Sequence, residues 1–191
     1  MGRSFEDPRK AMALKGKKSQ EETFAESNDF QGFLEEFQKE NDRGAAIIGA
    51  AFLDEHLKQL LANFMVDDPN EGKDLVSDTS PLGSFGARIR ATYCLGLISR
   101  EYFESLKLIK DVRNAFAHQL HGRTFDDKDV AAACKKLQAL QPLKSRFTQT
   151  PRQMFVTSVT FVLMDIGVRA LTVLEKRRKI PKAPSVQERF V

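Results

Sequence analysis

The chain has 191 residues, 41% apolar and 29% charged, with a net charge of +4. That length supports one domain with a sizeable core, and that balance excludes a low-complexity or disordered chain. Two cysteines, Cys94 and Cys134, lie far apart in sequence, which excludes a disulfide framework and a zinc cluster and leaves both expected to be reduced.

Fifteen Phe and no Trp predict a phenylalanine-rich core. Residues 1–22 hold six Lys/Arg and four Asp/Glu, and residues 175–191 hold six and two, so the body between them is net −2. This describes two basic tails, whereas nucleic-acid binding calls for a basic patch clustered on one face. The charged N-terminus has no apolar run, so no secretory signal and a cytoplasmic location are expected.

Residues 1–26, with Pro8 and Gly16 and no sustained period, read as a flexible charged arm. Residues 27–180 read as one helical domain and 181–191 as a tail. Ser27-Asn28-Asp29 offers cap chemistry for a short helix bearing Phe30, Phe33, Leu34 and Phe37. A long helix is expected from Asn41 or Asp42. Its apolar positions are Ala46, Ala50, Leu53, Leu57, Leu60 and Phe64, at spacings of four and three. Its first half is nearly all small residues, which lets another helix approach closely. Asp54 and Lys58 stand four apart in the favourable acid-first order.

Residues 65–80 read as a loop. Ser80-Pro81 predicts a helix start, running to about Leu95 with Leu82, Phe85, Ile89 and Tyr93 in one stripe. Gly96 suits a left-handed helix stop, and Ser99 caps the next helix. That helix ends at His121-Gly122-Arg123. Thr124-Phe125-Asp126-Asp127 predicts another start, with Val130, Cys134 and Leu137 on one face and Pro142 closing it. Thr150-Pro151 opens the last helix, expected to reach about Lys179. Residues 154–174 approach the length of a membrane span. Asp165 and Arg169 interrupt them one turn apart, which predicts a central buried helix with an Asp165–Arg169 pair instead. No period-two alternation occurs, so the fold class is all-α, a bundle of about five main helices.

Only one stretch carries a constellation suited to chemistry, Arg113-Asn114 followed after three residues by His118. Successive helical residues turn by roughly 100°. Leu106, Leu108, Ile109, Val112 and Phe116 then fall on one arc and Arg100, Glu104, Lys107, Asp111, Asn114 and His118 on the other. Asn114 and His118 suit a solvated face. Arg113 falls inside the apolar arc, and a buried guanidinium must be paired. The expected partners are Asp54 or Glu55, with Asp165 second because Arg169 competes for it. Loss of a buried pair of this kind would cost on the order of 3–5 kcal/mol. Arg113 and His118 lie roughly 140° apart around a straight helix, so they converge only if the helix bends near Ala117 or a dimer brings two copies together.

His118 and His121 lack an obvious third ligand, His56 reads as a packed or edge histidine beside Phe52 and Leu60, and no cofactor or metal is expected. No phosphate-binding glycine loop and no nucleophile elbow occur.

Pro81-Leu82-Gly83, Arg88-Ile89-Arg90, Tyr93-Cys94-Leu95-Gly96-Leu97-Ile98-Ser99, Glu101/Tyr102, the Leu106–Arg113 helix and Phe125-Asp126-Asp127 resemble the mannitol operon repressor family. The resemblance covers most of residues 30–178 and implies an all-helical regulator of transcription. Arg113-Asn114-x-x-x-His118 also looks like the motif of HEPN domains, helical bundles that are often dimeric and often metal-independent ribonucleases. That resemblance implies an alternative in which Arg113 stabilises phosphate charge, Asn114 orients and His118 is the general acid or base. A DNA-binding repressor calls for a helix-turn-helix with a basic reader, and none is visible. Candidate nucleic-acid contacts are confined to Lys15, Lys17, Lys18 and Lys176-Arg177-Arg178-Lys179. Repression is therefore expected to run through a protein partner, with the chain acting as a homodimer.

Overall fold

The computed structural model describes residues 28–68, 70–119, 122–137 and 149–182. The proposed arm 1–26, His121, Pro142 and the tail from residue 183 lie outside them. Seven helices and no strand occur among the described residues: α1 Asn28–Lys39, α2 Asp42–Phe64, α3 Glu71–Leu75, α4 Phe85–Cys94, α5 Arg100–His118, α6 Lys128–Leu137 and α7 Pro151–Glu175. The all-α bundle follows the sequence periodicity, with five helices of ten residues or more from α2 onward.

The centre of the bundle is the α2–α7 pair. Ala45, Ala46, Gly49 and Ala50 make a shallow wall on α2. A Cβ at Gly49 would stand 3.0 Å from the Phe37 ring and 3.2 Å from Val159, so the small side chain is what lets α1 and α7 close over it. The inner side of α7 buries Phe155, Val159, Val162, Leu163 and Ile166. Its length and hydropathy would also suit a membrane span, but here that apolar surface is used on α2 and α6. Three phenylalanines tie the later elements together: Phe116 of α5 lies 5.0 Å from Phe125, and Phe125 lies 5.1 Å from Phe155, centroid to centroid.

Local chemistry explains most boundaries. Asn41 caps α2 by accepting from the Gly44 N–H at 2.8 Å, and Thr150 with Gln153 forms a reciprocal capping box at α7. Gly96 adopts φ +70°, and bonds from Gly96 N to Tyr93 O and Leu97 N to Thr92 O, both 2.9 Å, close a Schellman end on α4.

Five boundaries differ from the sequence reading, the first being α5, which ends at His118 before an extended Gln119 rather than at His121-Gly122-Arg123. The 65–80 loop contains α3, because the Asp68 carboxylate accepts the Asn70 and Glu71 N–H groups and starts a turn of helix. The helix expected at Ser80 begins at Phe85, capped by Ser84; the Ser80 hydroxyl donates to the Leu75 and Ser77 carbonyls and closes the preceding turn instead. The helix expected at Thr124 begins at Lys128, since Phe125 is buried in the core and its N–H is taken by Asp42 at 3.0 Å. Finally, α7 stops at Glu175 rather than near Lys179. Arg177 turns back to Asp67 and to the Met65 carbonyl.

Candidate functional site

The proposed catalytic constellation sits on the last turns of α5, which runs as unbroken α-helix through His118. Arg113 and Asn114 are half-buried and His118 is exposed. With no bend at Ala117, the arginine and histidine of one chain stay on different sides of the helix and do not converge on one phosphate.

Arg113 also lacks the partner expected for it. Asp54 accepts from Arg88 at 2.7 Å, Glu55 pairs with Lys58 at 3.5 Å, and Asp165 is held by Arg169. Arg113 makes no ion pair among the described residues, and a half-buried position lets its stem pack while the head reaches water. Arg113→Ala is accordingly expected to change stability by less than about 1 kcal/mol in urea unfolding, not by the larger loss of a buried pair. A loss above about 3 kcal/mol would restore a buried partner.

Among the described residues the buried arginine is Arg88, which the sequence reading passed over. It is 3% exposed and lies on the inner face of α4 with Phe85, Ile89 and Thr92. Its guanidinium donates to Asp54 at 2.7 Å, to the Val76 carbonyl at 2.9 Å and to Asp78 at 3.2 Å. Burial works against the cation, but the hydrogen bond and charge of Asp54, and then those of Asp78, outweigh it and raise the Arg88 pKa. The arrangement fixes the segment after α3 against α2. The signal was present: Arg88 stands among apolar positions of its helix as Arg113 does. The favourable spacing of Asp54 and Lys58 was misleading, because Lys58 turns to Glu55.

The C-terminal basic run is partly used within the chain. Arg177 pairs with Asp67 at 2.8 Å, and the Arg178 guanidinium lies 3.6 Å from the centre of the Phe64 ring. Lys176 and Lys179 are exposed. Two of the four candidate nucleic-acid contacts in this run are therefore engaged within the chain. The polar face of α5 likewise neutralises itself through Arg100–Glu104, Lys107–Glu104 and Lys110–Asp111, so it offers no basic reading surface.

Two grooves flank α3. One, of about 1150 Å³, runs between α2 and α7 over Phe52, Ala62, Ala170 and Leu174, with His56 and Asp74 on its rim. The other, of about 780 Å³, is walled by Phe64, Met65, Leu75, Leu82 and Leu95, with Arg178 at its edge. Neither is lined by Arg113, Asn114 or His118. His56 packs on the Phe52 ring, and its Nδ1–H donates to the Phe52 carbonyl at 2.9 Å. The described residues contain no cluster of three or more potential metal ligands.

Both cysteines are free, Cys94 exposed and Cys134 buried. Burial pushes the Cys134 thiol up to about 12, which suppresses its thiolate at neutral pH. A native thiol assay at pH 8 is expected to report one fast thiol per chain, and a second only in denaturant. Two fast native thiols would contradict the burial of Cys134.

The family model described as mannitol repressor matches residues 29–166. The fold is similar to that in the X-ray structure of the MtlR–HPr complex from Escherichia coli, with a TM-score of 0.60 and 21% identity, covering 72% of this chain and 98% of that one. No curated protein matches the chain.

Proposed function

The chain belongs to the mannitol repressor family, and from that membership we propose that it lowers transcription of a sugar-alcohol operon by binding a protein partner. The observation that carries this reading is the family match, which extends over residues 29–166 and so includes every helix from α2 to α6 and most of α7. The E. coli protein of similar fold was solved in complex with HPr, and HPr is the partner proposed here. The self-neutralised face of α5 and the internal use of Arg177 and Arg178 support a protein-mediated mode over direct reading of DNA.

The chain is further proposed to act in the cytoplasm as a homodimer. A row on α7, Thr157, Thr160, Phe161 and Met164, is half-buried and uncharged, and suits a helix-to-helix contact between copies. Light scattering on the purified chain reports its mass, and a monomer at micromolar concentration would overturn the dimer.

Deleting the gene is expected to raise the transcript of the sugar-alcohol operon, measured by quantitative transcript analysis. An unchanged transcript level would overturn the repressor reading. A promoter fragment that shifts tightly at low salt, with steep salt dependence, would overturn the partner-mediated mode in favour of direct DNA contact.

A further inference from the structure

We propose that the edge formed by α3 and its two flanking grooves is the docking surface for the partner protein, and that the partner presents a basic side chain between two large apolar ones. This rests on the partner-mediated reading above and adds the place and the chemistry of the contact.

Exposed apolar surface is the first observation. Among the described residues, five large hydrophobic side chains are exposed, and three of them, Leu75 at 38%, Leu95 at 47% and Leu174 at 45%, line these two grooves. Exposed apolar side chains gathered around one element mark an interaction site rather than ordinary surface scatter.

Charge is the second. Residues 65–82 carry Asp67, Asp68, Glu71, Asp74 and Asp78 against the single Lys73, in a chain whose net charge is +4. Three of these acids already have work within the fold: Asp67 holds Arg177, Asp78 holds Arg88, and Asp68 accepts two backbone N–H groups. Glu71 and Asp74, one helical turn apart, make no ion pair among the described residues. Asp74 lines both grooves, which puts this acidic residue on the ridge between two mainly apolar troughs. A partner filling both troughs would bring a cation onto that ridge and exclude water around it, which strengthens the pair.

Rigidity is the third. The ridge is braced from behind by Arg88 on the Val76 carbonyl and by the Leu82 N–H on the Leu75 carbonyl at 3.2 Å. A braced surface loses less freedom on binding. The open, paired shape of the grooves suits a protein surface, since a small ligand could fill only one of them whereas a protein can span the ridge and fill both.

Calorimetric titration of the full chain with purified HPr tests the assignment. Asp74→Arg and Leu95→Glu are each expected to weaken binding by about tenfold or more, because each places a like or buried charge in the contact. Ile47→Glu, at an exposed apolar position outside both grooves, is expected to leave affinity unchanged. Thermal melts of all three are expected to match the unsubstituted chain, which separates lost binding from lost folding. Binding that survives both Asp74→Arg and Leu95→Glu would overturn the surface while keeping HPr as partner. No binding by the unsubstituted chain would overturn the partner reading itself, and the surface with it.

Discussion

Asp54→Ala is expected to destabilise the fold by about 3–5 kcal/mol, the range for removing one partner from a buried pair. The reason is asymmetry of burial. Arg88 is 3% exposed whereas Asp78, its other carboxylate, is 87% exposed and screened by water. Without Asp54 the guanidinium stays charged, since its pKa lies far above any working pH, and stays buried with one weak counter-ion. Its Nε already lacks a hydrogen-bond partner, so the remaining protein groups have little capacity to compensate. Replacing both members, Asp54→Leu with Arg88→Met, is expected to recover most of the loss, because no isolated charge remains. Urea unfolding of the two singles and the double closes a mutant cycle. A loss below about 1 kcal/mol for Asp54→Ala would mean that water reaches Arg88 and that the pair is no register lock. The cluster also braces the ridge beside α3, so the same substitution should loosen the proposed docking surface before the core melts.

Phe155→Ala is the second large effect, with an expected loss of about 3–5 kcal/mol. The ring is fully buried on α7 and faces Phe125, which faces Phe116. Removing it takes away the transfer energy of the ring and leaves a cavity that α5, α7 and the turn before α6 would have to collapse to fill. Collapse is resisted because Asp42 fixes Phe125 through its N–H and also pairs with Arg152 at 2.9 Å. Phe155→Leu, which keeps much of the volume, is expected to lose only about 1–1.5 kcal/mol. Chemical denaturation monitored by circular dichroism gives both values. Near-equal, small losses would show that the aromatic cluster repacks freely.

Arg113 and Arg88 give the same sequence signal, a cation among apolar positions on a helix. Only one of them is buried, because α4 turns that side onto α2, while the corresponding side of α5 leaves the Arg113 head half in solvent. The Arg-Asn-x-x-x-His spacing was legible, but its residues line neither groove. The grooves themselves were invisible, because α3 was hidden in a stretch of acids, Pro and Gly that reads as loop.

What the sequence determined by itself was local. Apolar spacings of three and four placed α2 and α5, and a long apolar run broken by Asp165 and Arg169 placed α7; Asn41, Ser99 and Thr150 marked their starts; and Gly96 marked the end of α4. These are interactions within four or five residues, so composition and spacing are enough to specify them. The tertiary structure decided which partner each charged side chain meets. Arg88 and Asp54 are 34 residues apart, Arg152 and Asp42 are 110, and Arg177 and Met65 are 112. An ionised side chain on a helix has the same local pattern whether it faces water or a neighbouring helix. Only packing fixes its neighbour and its exposure, and with them the energy of the contact and the surface left open for a partner.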